Sequence, residues 1–458
     1  MKFHLYLWLS AFTMLMITSC SDTEELYEVY TETKAPSLET NAIILKWSDQ
    51  YLQIERDLKG FRPAPTCRAL AYIHMGGYET LIPGTNRFKS LESILDGFEP
   101  PVLNYDSNKI NWPIALNAYY GRVHRFFLFN SDAAQVDQMN RLEANELLRM
   151  RQGVADGIVE NSIEWGQNVA NAIIAYSETD REGALQSREP SPADFFPPAG
   201  PGLWAPTLPD LGRALFPRWG SVRTFAAKHG DLVSLPPVNK YSTDPSSKYY
   251  QENLEVAERA MNITEKDRWI AEFWSDDLTG MTFSPPARFF AIANQVVARE
   301  EMSLEETAHM YCLLGIAIND AAVACWKSKY IYNTERPVKY ITEFIDPDFK
   351  SRLGEAIGIR GMNPAFPGYP SGHSTFAGVG MRIFEHFFGQ QYEFTDLCHF
   401  GRGEFNGYPR TFYSWKELAE EDAYSRIPLG VHIRQDCSEG LRLGNLMAVD
   451  ALALDLQK

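Results

Sequence analysis

The apolar residues of this chain recur mainly at helical intervals. Within residues 41–57 they fall three or four positions apart, on one face of a predicted helix, as with Ile44, Trp47, Tyr51 and Ile54. The same spacing predicts further helices at 68–82, 113–130, 131–180, 251–276, 286–301, 303–330, 346–358, 373–388 and 432–456. Apolar and polar residues do not alternate over a stretch long enough to indicate a β-strand, so the pattern predicts an all-α helical bundle.

Residues 187–247 interrupt the helical pattern with many prolines. Proline is excluded from helix interiors and central strands. Trp204 and Trp219 give this stretch more aromatic character than a disordered linker has. We therefore predict a long Pro/Trp-rich loop within an N-terminal helical half at 37–250, followed by a C-terminal helical core at 251–458.

The N-terminus has the pattern of an export signal. Lys2 precedes an apolar run that ends in "ITSC" at Cys20 and is too short for a membrane span. "ITSC" resembles a bacterial lipobox, which implies a lipoprotein signal peptide over 1–20 and acylation of Cys20. A polar linker is predicted at 21–36. A plain signal peptide with an incidental cysteine is the alternative.

The location of the protein follows from this segment. The acidic run after Cys20 resembles surface-export signals of some Gram-negative lipoproteins. We therefore expect an exported protein that is lipid-anchored in a bacterial cell envelope, at the outer membrane. We expect membrane contact only through the anchor at Cys20.

Composition narrows the function classes. The 458 residues are 45% hydrophobic and carry a net charge of −16, which excludes a nucleic-acid-binding surface but not a local cationic pocket. The cysteines that follow Cys20 form no C-x-x-C pair, and no disulfide is predicted among Cys67, Cys312, Cys325, Cys398 and Cys437.

Three short stretches in the last third of the chain place cationic, hydroxyl and imidazole groups at fixed spacing. "KYIYNTERP" occupies residues 329–337, where a long predicted helix ends. "PSGH" lies at 370–373, where a helix is predicted to start, and "SRIPLGVH" lies at 425–432. Taken singly, each stretch can be surface charge, a serine helix cap or a chance sequence. Ten specified positions in order make a chance combination rare, on the order of one in a million.

These residues together have the chemistry of an oxyanion pocket. Lys329, Arg336 and Arg426 supply positive charge, and guanidinium forks match the oxygen spacing of tetrahedral oxyanions. Ser371 and the backbone amide of Gly372 would lie at a helix N-terminus, where unpaired amides favour anions.

Two histidines complete the predicted pocket. His373 follows the helix cap, and His432 lies at the predicted start of the last helix. Arg426 is predicted in an extended stretch before Pro428. Asp436 lies four residues after His432, on the same helix face, where it can orient the imidazole. The histidines therefore offer one candidate nucleophile or metal ligand and one candidate acid/base.

The motif K-x6-R-P, P-S-G-H and S-R-x5-H resembles that of the superfamily of type 2 phosphatidic acid phosphatases and vanadium-dependent haloperoxidases. This resemblance implies a helical bundle, with His373 as the acid/base and His432 as the vanadium ligand or the nucleophile. It also implies a set of oxyanion-binding residues: Lys329, Arg336, Ser371, Gly372 and Arg426.

Further stretches are similar to the haloperoxidase branch. "EFWSDDLTGMTFSPPARF" at 272–289 resembles a segment that brings an aspartate, here Asp277, towards His373. Trp326 and Phe366 match aromatic positions that flank the site in fungal chloroperoxidases, although core aromatics would look the same. The length is similar to that of bacterial relatives of the haloperoxidases and roughly twice that of the soluble acid phosphatases in the superfamily.

Two enzymatic functions therefore remain open. The first is a vanadate-dependent haloperoxidase that oxidises halide with hydrogen peroxide, in which Lys329 would polarise the bound peroxide. The alternative is a metal-free phosphomonoesterase that acts on phosphate esters through a phosphohistidine at His432. A binding module with an inactive site is disfavoured, because every reactive position of the motif is present.

Overall fold

The computed structural model describes residues 30–207, 211–228 and 232–458. The predicted signal peptide with Cys20 and most of the predicted linker lie outside the described residues. In the described ranges the chain forms fourteen α-helices: α1 (Ala42–Glu55), α2 (Ala64–Leu81), α3 (Trp112–Phe127), α4 (Ala133–Met150), α5 (Asp156–Glu178), α6 (Arg181–Arg188), α7 (Lys248–Met261), α8 (Glu265–Phe273), α9 (Pro285–Arg299), α10 (Leu304–Tyr332), α11 (Pro337–Phe344), α12 (Gly372–Phe388), α13 (Trp415–Ser425) and α14 (Arg434–Leu452).

The prediction of an all-α fold is confirmed, since the described ranges contain a single sheet of two short strands. β1 (Gln391–Asp396) pairs antiparallel with β2 (Arg410–Ser414), and Phe394 lies opposite Phe412. This hairpin was not predicted, because its alternation of buried and exposed residues spans only five or six positions.

The long helix α10 lies at the centre of the bundle. It begins with a capping box between Ser303 and Glu306 and ends at Asn333, which has a left-handed conformation (φ 46°). It contacts α2, α12 and α14. Its length and a mean hydropathy of 1.4 match those of a membrane span, but this apolar window is wholly buried inside the protein, as in a core helix.

Helices α12 and α14 pack closely because each carries glycines that face the backbone of the other helix. A Cβ atom at Gly444 would lie 1.8 Å from the carbonyl oxygen of Thr375, and one at Gly440 would lie 2.6 Å from that of Ser371. On α12, a Cβ atom at Gly378 would lie 2.3 Å from a carbonyl oxygen of α14. These contacts fix the start of α12 against the first turns of α14.

Several predicted helices differ from the observed ones. The predicted helix over 131–180 is two helices, because Gly153 turns the chain with a left-handed conformation (φ 74°) between α4 and α5. The predicted helix over 251–276 is split where Thr264 caps α8. Residues 346–358 form only a short 3-10 turn, flanked by two glycines with positive φ, and α13 was not predicted.

Between α6 and α7 the described residues form a loop with one 3-10 turn, Trp219–Ser221. Trp204 and Trp219 are buried in it. The buried carboxylate of Asp320, on α10, accepts hydrogen bonds from the backbone amides of residues 225–227 at 2.7–3.2 Å. This contact fastens the loop to the central helix.

Candidate active site

The ends of several elements meet in the C-terminal core and bring the predicted site residues together. Helix α10 contributes Trp326 and Lys329, and Arg336 precedes the first residue of α11. Ser371 caps α12, whose first two residues are Gly372 and His373. Arg426 directly follows α13, and His432 lies in the loop before α14.

A cavity of ≈ 150 Å³ lies among these groups. Part of its wall is charged or polar, with Asp277, Arg336, His373, Arg426 and His432. The rest is mainly apolar and includes Leu215, Leu278, Trp326, Leu353, Met362, Phe366 and Phe376. Lys329 and Ser371 are fully buried next to this wall but are not part of it.

His432 is held in a single tautomer. Its Nε2 lies 3.0 Å from Nη1 of Arg336, and a guanidinium can only donate, so Nε2 is an acceptor. Nδ1 therefore carries the proton and donates it to Oδ2 of Asp436 at 3.0 Å. Burial, reinforced by Arg336 and Lys329, lowers the pKa of His432 well below its usual range, so the imidazole is neutral at neutral pH. A neutral imidazole with an Nε2 lone pair can serve as a ligand or a nucleophile.

Asp436 also connects two of the sequence motifs. Its carboxylate contacts His432, and its backbone carbonyl accepts a hydrogen bond from the amide of Ser371 at 2.9 Å. The predicted contact between Asp436 and His432 is present, although His432 lies just before α14 and Ile433 is the N-cap of that helix.

Two buried arginines, Arg336 and Arg426, each have a hydrogen-bond donor without a partner in the described residues. Arg336 uses Nε and Nη1 on the carbonyls of Phe366 and Val431, each at 3.0 Å, and its Nη2 has no hydrogen-bond partner among the described residues. Arg426 donates to the carbonyl of Trp274 and to Asp277, while its Nε is unpartnered in the described part of the chain. Burial lowers the pKa of Arg336 to about 10, which leaves it charged at neutral pH.

Asp277 lies between Arg426 and His373. Its Oδ2 is 2.7 Å from Nη2 of Arg426 and 3.7 Å from Nε2 of His373. Burial acts to raise the pKa of Asp277, but Arg426 and His373 outweigh it and hold the carboxyl below its usual range. Burial and Arg426 lower the pKa of His373 to about 3, against the opposite effect of Asp277. His373 is therefore a neutral base within reach of a carboxylate.

Lys329 is saturated by backbone oxygens. Its ammonium donates to the carbonyls of Pro367, Gly368 and Pro370 at 2.6–2.9 Å. The ammonium also lies 5.8 Å from the ring centroid of Trp326 and 5.2 Å from that of Phe366. Burial lowers the pKa of Lys329 from its usual range. Lys329 therefore lies behind the cavity wall and has no donor of its ammonium left for a ligand.

The start of α12 has an open N-terminus. Ser371 is the N-cap, and its Oγ accepts hydrogen bonds from the amide and the hydroxyl of Ser374 at 3.4 and 3.0 Å. Gly372, the first helical residue, lines the cavity. A Cβ atom there would stand 3.5 Å from the ring of Trp326, so the glycine keeps the space between this ring and the helix end open.

Some features of the site differ from the sequence-based expectation. Arg426 is not in an extended stretch: it directly follows Ser425, the last residue of α13, and has helical backbone angles (φ −72°, ψ −20°). Arg62, from the turn between α1 and α2, lines the same cavity and was not predicted. Its contact to Asp276 joins residues 214 positions apart, a separation that leaves no local pattern.

A buried ionic network behind Asp277 was also missed. Arg288, on α9, lies 2.9 Å from Asp396 and 3.5 Å from Asp276, the neighbour of Asp277. It also contacts His399, and its guanidinium lies over the rings of Phe273 and Trp274. The segment "SDD" was visible in the sequence, but its partner on α9 was not.

The donor set fits an oxyanion such as vanadate. Arg336 Nη2 and Arg426 Nε are orphaned donors, and the helix end at Gly372 adds positive potential. Nε2 of His432 supplies the lone pair that a vanadium ligand needs. We call these four residues, Arg336, Gly372, Arg426 and His432, the oxyanion cradle. The described residues form no cluster of three or more His, Cys, Asp or Glu side chains suited to a simple metal ion.

Fold and site together define a helical protein with an oxyanion cradle between the starts of α11 and α12, the end of α13 and the loop before α14. Residues 309–456 match the family model of the VCPO second helical-bundle domain. The matched region contains every residue of the cradle.

Known proteins extend the similarity beyond this domain. The vanadium chloroperoxidase of Curvularia inaequalis is 23% identical over 263 residues, which is 50% of this chain but only 43% of that protein. A bacterial vanadium-dependent iodoperoxidase superposes with a TM-score of 0.79 at 25% identity and covers 93% of this chain and 99% of its own. A bacterial vanadium-dependent chloroperoxidase shares the fold, with a TM-score of 0.66 at 15% identity over 87% of this chain and 94% of its own. The chain thus has a vanadium haloperoxidase-like fold.

Proposed function

We propose that this protein is a vanadate-dependent haloperoxidase, which oxidises halide with hydrogen peroxide. The observation that carries the proposal is the neutral, Asp436-oriented His432 with its Nε2 lone pair in a cavity beside the orphaned donors of Arg336 and Arg426. The similarity to proteins named vanadium chloroperoxidase and iodoperoxidase supports it.

The cradle would hold vanadate through His432 Nε2 and through the guanidinium groups of Arg336 and Arg426. Lys329 and Ser371 would add charge and a hydroxyl donor from behind the wall. The chemistry that bound vanadate supplies is Lewis-acid activation of hydrogen peroxide towards a halide. Because Nε2 of His432 now accepts a hydrogen bond from Arg336, the arginine would exchange that contact for an oxygen of the ligand.

His373 would hold and return a proton during the reaction. Its Nε2 is buried without a hydrogen-bond partner in the described residues, and its low pKa leaves the imidazole unprotonated and only weakly basic at neutral pH. The Asp277 carboxylate at 3.7 Å would stabilise the imidazolium that forms. The apolar walls around Trp326 and Phe366 would limit water near these groups.

A metal-free phosphomonoesterase remains the second candidate. It is favoured by one observation, the lone pair on Nε2 of a neutral, carboxylate-bound His432, because a phosphohistidine mechanism needs the same state. His373 would then protonate the leaving group of the phosphate ester.

The test compares both activities in one preparation. Protein reconstituted with vanadate is assayed for bromide- and iodide-dependent halogenation by hydrogen peroxide, and vanadate-free protein for p-nitrophenyl phosphate hydrolysis. We expect vanadate-dependent halogenation that is lost in His432→Ala. Hydrolysis without any halide oxidation would reject the haloperoxidase and support the phosphatase.

We also propose that the protein is exported and anchored by acylation of Cys20 in the envelope, at the outer membrane. The lipobox-like "ITSC" supports this. Labelled palmitate should enter the wild-type protein and not Cys20→Ala. Equal labelling of both proteins would contradict the proposal.

A further inference from the structure

Arg62 reaches the cavity from the N-terminal half of the chain. It lies in the turn between α1 and α2 and lines the same cavity as Asp277, His373 and Arg426. Its side chain is only 6% exposed. A charged side chain so deeply buried next to a polar cavity requires partners that account for its charge.

The partners of Arg62 leave part of its guanidinium unused. Nη2 donates to the carbonyl of Asp276 at 2.8 Å, and Nε lies 3.4 Å from Oε1 of Glu55. Nη1 has no hydrogen-bond partner in the ranges that the structure describes. The carboxylate of Glu55 also accepts hydrogen bonds from the hydroxyl of Thr66 at 2.9 Å and from the backbone amide of Ser284 at 3.0 Å. One hydrogen bond and one ion-pair contact therefore hold the guanidinium, and neither Nε nor Nη1 has a hydrogen-bond partner in the described residues.

Glu55 is the ion-pair partner of Arg62, and the other carboxylates near Arg62 are paired with other arginines. The carboxylate of Asp277 is bound by Arg426 at 2.7 Å, and that of Asp276 lies 3.5 Å from Arg288. Arg62 contacts the backbone of this acidic segment and not its carboxylates. Nη1 therefore lacks a protein partner in the described residues, and a small anion beside it would supply one.

The remaining surroundings limit what this anion can be. Leu215, Leu278 and Met362 contribute apolar wall to the same cavity, whose volume is ≈ 150 Å³. A monoatomic, weakly hydrated anion needs few donors and tolerates apolar neighbours, whereas a tetrahedral oxyanion needs a fuller set such as the oxyanion cradle. Arg62 adjoins Asp276, so an anion there would lie close to the Asp277–His373 pair.

We propose that Arg62 binds the halide substrate, at an anion subsite beside the oxyanion cradle. This inference rests on the proposed haloperoxidase function. Arg62 would concentrate halide next to the reacting centre, and the oxyanion cradle would remain with vanadate.

The first test is kinetic and uses vanadate-reconstituted Arg62→Met. We expect KM for bromide to rise about tenfold or more, as for loss of a hydrogen bond to a charged group. KM for peroxide and the vanadate dissociation constant should change by less than about twofold, since the cradle is intact. Arg56→Met is the matched control, because Arg56 ends α1 nearby, is partly exposed and does not line the cavity. An unchanged KM for bromide would overturn the inference. So would a loss of vanadate affinity together with a rise in KM for both bromide and peroxide.

The second test needs no turnover. The bromide nuclear magnetic resonance line width is measured with the cradle saturated by inorganic phosphate, for wild type, Arg62→Met and Arg56→Met. We expect the protein-dependent broadening to fall in Arg62→Met and to persist in Arg56→Met, and equal broadening in all three proteins would reject the subsite. Arg62-dependent broadening in a protein without haloperoxidase activity would reject the proposed function and leave the anion subsite standing. If Arg62→Met does not fold, Arg62→Lys carries both tests, with an intermediate effect on bromide alone as the expected result.

Discussion

Asp436 and His432 form a buried pair, with Oδ2 of Asp436 3.0 Å from Nδ1 of His432 and the side chains only 5% and 4% exposed. This contact fixes which imidazole nitrogen carries the proton. It therefore leaves the lone pair on Nε2, the atom that we propose as the vanadate ligand.

Replacing Asp436 by asparagine tests this orientation. Asp436→Asn keeps the size of the side chain but removes the carboxylate that holds the Nδ1 proton. We expect vanadate affinity to fall by about 10- to 100-fold, as for other groups that accept a hydrogen bond from the second ring nitrogen of a metal-bound histidine. Calorimetric titration with vanadate measures it, and Asp455→Asn, which is 80% exposed near the C-terminus, is the control. Equal affinities for both variants would show that Asp436 does not orient His432.

A substitution at Asp277 should affect proton transfer without affecting vanadate binding. Asp277→Asn removes the negative charge that faces His373 at 3.7 Å and leaves the nitrogen donors of the cradle unchanged. We expect kcat for halide oxidation to fall about 10- to 100-fold, in the range of general acid–base effects, with little change in the vanadate dissociation constant. If vanadate binding weakens as much as kcat falls, Asp277 serves mainly to hold Arg426.

The close packing of α12 and α14 predicts that a larger residue between these helices will lower the stability of the protein. Gly444→Ala would place a methyl group 1.8 Å from the carbonyl oxygen of Thr375, so the helices must separate. We expect the free energy of unfolding in urea to fall by about 1–3 kcal/mol, typical of overpacking, and vanadate affinity to fall with it. Gly157→Ala on α5, where nothing lies within 4 Å, is the matched control and should be neutral or stabilising by up to about 1 kcal/mol. Similar results for the two variants would contradict the packing account.

A buried histidine far from the site should make the protein acid-sensitive. Burial lowers the pKa of His124 from 6.5 to about 4, so below pH 6.5 the unfolded chain binds a proton that the folded chain does not. Stability is therefore lost as pH falls through this window, by about 1.4 kcal/mol per pH unit for one group. His124→Phe keeps the ring beside Trp47 and should remove about 3 kcal/mol of the loss between pH 6.5 and 4. Urea unfolding at both pH values measures it, and an unchanged pH dependence would contradict the prediction.

The candidate site was predictable because its chemistry lies in short local stretches. Ser371 caps α12 where a serine before a helical run is expected, and Asp436, in the first turn of α14, reaches back to His432 just before that helix. The all-α class followed from the spacing of apolar residues along helices such as α10.

Other features depend on contacts that the sequence does not reveal. Arg62 meets Asp276 across 214 residues, and Arg288 meets Asp396 across 108, so no local spacing connects either pair. Arg426 was wrongly predicted in an extended stretch, because a proline nearby indicates a helix break without fixing its position. The saturation of Lys329 by three carbonyls likewise follows from the turn over 367–370, which only tertiary packing determines.

The central claim is that vanadate binds in the oxyanion cradle at Nε2 of His432, and the most direct test is a crystal structure of the protein with orthovanadate. We predict vanadium bonded to Nε2 of His432, with oxygens within hydrogen-bond distance of Arg336 and Arg426. Vanadate bound elsewhere, or a cradle without vanadate at saturating concentration, would contradict the claim.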